Sequence, residues 1–289
     1  MGRPLILISW NGRSLPLDQI EPDAVPEFDI LLFDYSGGSA TPSAKLPINH
    51  RISLKTECKG QIFAAFKNYL DHSTEAYDYV ALIDDDIAVR VSSLNKAIAL
   101  ATGAGLDSFS LSLTPDSFVN HARFVARPGS EMRAMPWVEV MMPFYRRALF
   151  MAAGPYFEGS VSSYGIDQFV MPMVCKTTGM DRVALIDAFS AGHHRPVTSD
   201  ERTYSNGLTA HQERIALRRK CIADIRSDRP ELLATGWFYQ TFAPLNGPGS
   251  FWWLYLGWPV HLVQRLVSQR LVSQRVHRHD LARMRHEPK

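Results

Sequence analysis

Three consecutive carboxylates, Asp84-Asp85-Asp86, close an apolar run that begins at Tyr79 ("YVALIDDD"). Adjacent like charges repel by about 1 kcal/mol per pair at 4 Å in water, and by about 4 kcal/mol at an effective dielectric near 20. A counter-charge must offset that repulsion, or the turn must be fully solvated. Residues two apart in an extended chain share a side, so Asp84 and Asp86 can face one point. Such a pair of hard oxygen donors suits Mg2+ or Mn2+, which keeps waters and shares its other positions with substrate phosphates. Taken alone, the same residues equally fit a solvated turn ahead of a helix, whose N-terminus also favours carboxylates.

Two later segments bear on that choice. "VALIDAFSAGHHRPV" sets His193 and His194 behind an expected strand. An imidazole there is a sensible further ligand for Mn2+, although a lone His near Gly and Pro fits a surface loop as well. Between the two lies "SSYGIDQFVMPMV", with Asp167 behind Gly165 at an expected loop-to-helix junction. Asp167 can cap that helix or take a proton from an acceptor hydroxyl as general base.

These residues need a sheet to position them. Pro4–Trp10 and Phe28–Phe33 are short apolar runs bounded by Gly, Pro and Asp, as buried parallel strands should be. Thr56–Leu70 spaces Ile62, Phe63, Phe66 and Leu70 as one face of a helix. Tyr79–Ile83 reads as a strand, followed by a helix from about Ser93 to Leu100 capped by Ser92 or Ser93. Ser108–Leu113, Val138–Met142 and Val183–Ala188 are further expected strands, with a helix after Gly165. The alternation predicts an α/β fold, a mostly parallel sheet flanked by helices. Ligands of such sheets bind beyond the carboxyl ends of the strands, where the three Asp stand.

Past residue 200 the character changes. Ala210–Ile225 reads as a charged helix, Pro244–Ser250 as a linker, and the remainder as an aromatic cluster feeding a basic stretch. Residues 1–200 are therefore expected to form the catalytic domain and 201–289 a helical C-terminal extension. Residues 261–289 carry seven Arg and Lys against two acidic residues, a net +5, which leaves −3 on the preceding 260. A mildly acidic body argues against nucleic acid as the partner. Phe251, Trp252, Trp253, Tyr255 and Trp258 just before the basic stretch have the composition of a membrane-surface contact. The repeat "QRLVSQRLVSQRV" has a period of five, which advances a helix by about 140° and keeps no single apolar face. Three scattered cysteines, Cys58, Cys175 and Cys221, are read as reduced thiols of a cytoplasmic chain, one that can sit on the cytoplasmic face of the membrane. The opening "MGRPLILISWNG" reads as a first strand, not a leader, and no apolar run reaches the roughly 18 residues of a span.

The order D-x-D, G-x-D, His resembles the GT-A type of nucleotide-sugar glycosyltransferase. More narrowly, the chain resembles a plant and bacterial family known by a domain-of-unknown-function label. The blocks that carry the resemblance are Asp84–Asp86, Trp137–Arg147 ("WVEVMMPFYRR"), Tyr164–Asp167 ("YGID") and Ile186–His193 ("IDAFSAGH"). Tyr164 departs from the family's usual tryptophan before G-x-D. The resemblance implies a GT-A fold with Asp86 as direct metal ligand, His193 as a second, Asp84 near ribose or metal, and Asp85 as a spare on the donor side. It implies Asp167 as the base of an inverting transfer. Asp34, ending "ILLFD", falls where such enzymes often meet the nucleobase or ribose, and equally fits a strand-end turn. Lys59 can lean on phosphate or base, or be a solvated charge. Glu139 is expected in the acceptor pocket, bonded to a sugar hydroxyl or to Arg146 or Arg147. Trp137 would stack on a sugar face, and Arg195 would pair with the diphosphate.

The expected function is a glycosyltransferase dependent on Mn2+ or Mg2+, moving a sugar from a nucleotide-diphosphate donor, a UDP-sugar first of all, to a carbohydrate or lipid-linked glycan acceptor. One alternative is a nucleotidyltransferase that makes a nucleotide sugar, for which "SWNGRSLP" is a poor phosphate loop, with one Gly and one Arg. The other is a non-catalytic membrane adaptor on the same fold.

Overall fold

In the computed structural model, the structure describes residues 2–38, 43–195 and 202–242. The chain divides into two compact units, Met1–Ser227 and Asp228–Lys289. The first runs β1 (Leu5–Trp10), β2 (Ile20–Glu21), β3 (Asp29–Asp34), β4 (His50–Ser53), α1 (Lys59–His72), β5 (Tyr79–Ile83), β6 (Ile87–Arg90) and α2 (Val91–Ala104). It continues with β7 (Ser108–Leu113), β8 (Met132–Ala134), β9 (Phe144–Arg146), α3 (Arg147–Ala153), α4 (Met171–Thr178), β10 (Val183–His193) and α5 (Ala210–Asp228).

The strands form one mixed sheet of order β2-β6-β10-β7-β9-β5-β1-β3-β4, with β8 also paired to β10. The run β5-β1-β3-β4 is parallel, as is β7-β10. β1 and β5 are buried along their whole length, which is why they read as unbroken apolar runs and not as alternation. Ile6, Ile8, Ile30, Leu32, Tyr79, Ala81 and Ile83 share a core with Val91, Leu94, Ala97 and Ala101 of α2. The intervening strand residues point to the opposite face. Phe63 of α1 packs there edge-on to Phe157 at 5.2 Å and beside Phe150 at 6.0 Å. The architecture is the helix-flanked α/β sheet expected.

Four local differences have physical causes. Val138–Met142 is not a strand: the Met141 carbonyl accepts from Asp84 N–H, and just past the segment the Pro143 carbonyl accepts from Leu82 N–H. Pro143 has no N–H to extend a ladder, and the paired strand begins after it, at Phe144. The turn after the three Asp leads into β6 before the helix, so α2 begins at Val91, and Ser92 bonds outward to Asp23 at 2.6 Å instead of capping. β10 runs to His193, past the expected end at Ala188, because a bulge between Ile186 and Ser190 absorbs Asp187–Phe189. At the bulge Asp187 is buried against Arg133 at 2.6 Å. The helix behind Gly165 opens as a π-helical turn, Ile166–Val170, before α4.

The second unit holds a 3-10 turn (Pro230–Ala234) and α6 (Gly236–Phe242), whose Phe238 and Phe242 rings lie 5.1 Å apart. The expected linker and aromatic-basic segment, residues 244–289, lie outside the described residues. Among the described residues no helix is long and apolar enough to cross a membrane.

Candidate functional site

The Asp turn sits at the carboxyl end of β5, and Ile87 N–H closes it on the Asp84 carbonyl at 3.2 Å. Ile87 and His193 are register partners in the antiparallel β6–β10 pair. That pairing brings His193 beside Asp86 across more than a hundred residues of sequence. His193 Nε2 stands 3.5 Å from Asp86 Oδ2, and its Nδ1–H donates to the Phe118 carbonyl at 2.8 Å. The carbonyl bond fixes the ring so that Nε2 faces the carboxylate, the arrangement in which an outer partner orients a metal-binding imidazole. The bond to Asp86 raises the His193 pKa against the opposing effect of burial. Burial would raise Asp86 too, but His193, Arg195 and Lys59 hold it below the usual range.

Asp86 Oδ1 is buried with no hydrogen-bond partner among the described residues, a state that needs an explanation in a folded protein. Asp84 is taken by Lys59 at 2.5 Å. Asp84 keeps 30% of its side chain exposed, yet loss of surrounding water still pushes its carboxyl up, with Lys59 opposing. Asp85 accepts from Tyr35 Oη at 2.9 Å, and its N–H donates to Ser9 Oγ at 3.0 Å. Arg195 spans the turn, 3.3 Å from Asp85 Oδ1 and 3.7 Å from Asp86 Oδ2. Among the described residues no three His, Cys, Asp or Glu groups gather to hold a metal. Asp86 and His193 supply two donors of the hard-oxygen and imidazole type that fit Mn2+ or Mg2+. The orphaned Oδ1 supports that fit, with water and diphosphate left to complete the shell.

Asp34 is fully buried at the end of β3. It accepts from Ser36 Oγ at 2.6 Å and Arg51 at 3.2 Å. Burial works against its charge, but Ser36 and Arg51 keep its pKa low. Its oxygens are thus spent on shaping the turn Tyr35–Gly38.

A second group lies on the segment 118–142 and around Gly165. Asp167 is buried in the π-helical turn, and burial raises its pKa to about 7 against the N–H groups of Gln168 and of Asp167 itself. Glu139 is 7% exposed, and burial, with the charge of Asp167 next, raises it to about 8. Its Oε2 has no partner among the described residues. The expected bond to Arg146 or Arg147 is not made: Arg146 goes to Asp107 at 3.2 Å and Arg147 to the Leu70 carbonyl at 2.8 Å. Trp137 is half-buried against Phe124 at 5.0 Å and His121 at 5.3 Å, with Arg123 over its ring at 5.9 Å.

Sequence reasoning missed the residues that hold this half in place. Glu213 of α5 is buried and accepts from Ser160 Oγ at 2.6 Å, Val161 N–H at 2.9 Å and Ser162 Oγ at 2.8 Å. The loop it holds then passes through Ser163 at φ 69 and Gly165 at φ 98. A Cβ on Gly165 would stand 3.4 Å from the Arg214 Cα, an ordinary contact, so it is the positive φ that calls for glycine. Gly60 is a close approach, with the Ser160 carbonyl oxygen 2.5 Å from where a Cβ would stand. The glycine of Lys59-Gly60 was a visible signal for that contact; a single Glu in a charged helix was not.

No family model matches the chain, and no curated protein matches it. Solved structures do match. GalNAc-T7 with UDP, GalNAc and Mn2+ superposes with a TM-score of 0.51 at 10% identity, covering 82% of this chain and 53% of that one. S. aureus TarS gives a TM-score of 0.46 at 12% identity, covering 78% of this chain and 40% of that one. A TarS structure in complex with UDP-GlcNAc gives 0.44 at 12% identity, covering 84% and 78%. The chain thus spans about half or less of the GalNAc-T7 chain and of the longer TarS chain. At these identities the likeness is one of fold, and that fold is the GT-A type of α/β sheet.

Proposed function

We propose that the chain is a metal-dependent glycosyltransferase that moves a sugar from a nucleotide-diphosphate donor to a hydroxyl acceptor with inversion. The observation that carries the reading is the convergence of Asp86 and His193 at the carboxyl end of β5, with a buried Asp86 oxygen left unpartnered. Asp86 and His193 would hold Mn2+ or Mg2+, which would supply positive charge for the departing diphosphate. UDP and Mn2+ in the GalNAc-T7 structure, and UDP-GlcNAc in a TarS structure, support a UDP-sugar as the first donor to try. The resemblance to the plant and bacterial family is offered on the same residues.

The chain's own groups divide the work. Lys59 and Arg195 already neutralise the Asp turn, and both would turn toward the diphosphate when it arrives. Asp167 would accept the acceptor hydroxyl's proton as its oxygen bonds to the anomeric carbon. The bond from that carbon to the diphosphate breaks with its electron pair leaving on oxygen. A carboxyl raised to about 7 is placed for that exchange near neutral pH. Glu139 would bond a neighbouring hydroxyl through its unpartnered oxygen, and Trp137 would line that side. Residues 251–289 would bring the enzyme to a membrane surface and a lipid-linked glycan.

The test is calorimetric titration with UDP, GDP and CDP, each with and without Mn2+, on the wild type and Asp86→Ala. Micromolar binding of one nucleotide that requires Mn2+ and vanishes in the variant is expected. Folded protein that binds none of the three would return the Asp run to a solvated turn.

A further inference from the structure

From Ser160 to Asp167 every residue is buried except one: Tyr164 is 39% exposed. Ser160, Ser162, Ser163 and Asp167 face inward while the largest ring of the run faces out. Burial of apolar surface alone selects the reverse, the aromatic inside and the hydroxyls and carboxylate at the surface.

The backbone is built to make that inversion. Ile166 N–H donates to the Ser163 carbonyl at 3.1 Å, closing a turn with Tyr164 and Gly165 at its centre. Gly165, at φ 98 and ψ −9, has the conformation of the third residue of a type II turn, which puts Tyr164 on the corner before it. Ser163 enters the turn at φ 69, left-handed without being glycine, at a cost of about 1–3 kcal/mol. Strain of that size persists only where the surroundings hold it. Here Glu213 holds it, with Ser160 Oγ, Val161 N–H and Ser162 Oγ all donating to one buried carboxylate, and Tyr164 N–H donates in turn to Ser162 Oγ at 3.2 Å. The turn that presents Tyr164 outward also delivers Asp167, three residues on, to the buried site.

Trp137, the ring expected to meet a sugar, is engaged by the protein itself. Phe124 lies 5.0 Å from it, His121 meets it edge-on and Arg123 lies over it at 5.9 Å. Tyr164 is the exposed aromatic on the Asp167 side. An aromatic face selects a flat apolar surface, and the hydroxyl at its tip adds one polar handle. The C–H face of a pyranose offers such a surface; an open-chain polyol or a serine side chain does not.

We propose that Tyr164 is a specificity-determining residue for the acceptor, packing on the ring of a pyranose whose hydroxyl reaches Asp167. The acceptor group is then the sugar end of a glycan and not a peptide or lipid hydroxyl. Its assignment as acceptor rests on the glycosyltransferase reading; the preference for a ring does not.

The test is saturation-transfer NMR titration of the full chain, with and without UDP and Mn2+. The probes are methyl glucoside, methyl galactoside and methyl mannoside against the acyclic glucitol. At least one pyranoside is expected to bind about fivefold or more tighter than glucitol, with that preference lost in Tyr164→Ala and kept in Tyr164→Phe and Tyr164→Trp. The two aromatic variants leave a ring on the turn, so they separate a lost platform from a disturbed loop. The proposal is overturned if no pyranoside outbinds glucitol, if the preference survives in Tyr164→Ala, or if all three variants lose it alike. Nucleotide binding is read in parallel: absence of Mn2+-dependent UDP binding in the wild type overturns the donor reading, while the ring preference is scored without nucleotide.

Discussion

Asp167, like Glu139, differs from the four other carboxylates of the site in having no cation at contact among the described residues. Asp34, Asp84, Asp85 and Asp86 each meet a Lys, Arg or His. Asp167 has instead two backbone N–H groups and burial, and its pKa rises to about 7. A base must be unprotonated to act, so the proposed transfer should gain with pH up to about 7 and level off above. Asp167→Asn keeps the shape but loses the base, and should lower kcat by about 10²–10⁴-fold while leaving Mn2+-dependent nucleotide binding in place. The pH–rate profile together with the nucleotide titration checks this. A variant that keeps the wild-type rate would move the base elsewhere, Glu139 being next.

At the scale of elements, three pieces not adjacent in sequence meet at one loop. The N-terminus of α1 approaches through Gly60, α5 through Glu213 and Gly165 against Arg214. Gly60→Ala forces a Cβ against the Ser160 backbone and should destabilise by about 1–3 kcal/mol. Glu213→Ala leaves Ser160, Ser162 and the Val161 N–H without their acceptor. It should cost about 1–3 kcal/mol for each buried donor left unsatisfied. Denaturant midpoints measure both, and proteolysis within 160–165 should quicken in Glu213→Ala. A Glu213→Ala protein of wild-type stability would show that the loop is held by other contacts. These same pieces mark where sequence reading stopped. The buried strands and α1 were legible because they are apolar runs or a helical stripe, signals local to a few residues. The G-x-D and D-x-D spacings marked positions for Asp167 and Asp86. What was not legible was pairing: β6 is short and its register with β10 is a long-range fact, yet it seats His193 beside Asp86. Likewise nothing near Glu139 says that Arg146, in the adjoining strand, will turn to Asp107 instead.

The whole molecule carries the cost of keeping Glu139 and Asp167 inside. Each is easier to protonate folded than unfolded: about 8 against an ordinary 4.5 for Glu139, about 7 against 3.8 for Asp167. From pH 4 upward the unfolded chain releases these protons first, while the folded chain keeps them until about 7 to 8. The folded state therefore binds more protons than the unfolded across that window, and stability falls as pH rises through it. Each group contributes at most about 1.4 kcal/mol per pH unit, fully present as stability below the unfolded values and lost above the folded ones. Glu139→Gln and Asp167→Asn cannot titrate, so each should flatten the fall, and Glu139→Gln should melt higher than wild type at pH 8. Acceptor hydroxyls that bond the unpartnered Glu139 oxygen would recover part of the loss, which ties the instability to the proposed site. Melting temperatures of the wild type and both variants from pH 5 to 8 decide it: parallel curves for all three would mean that neither carboxyl is held protonated by the fold.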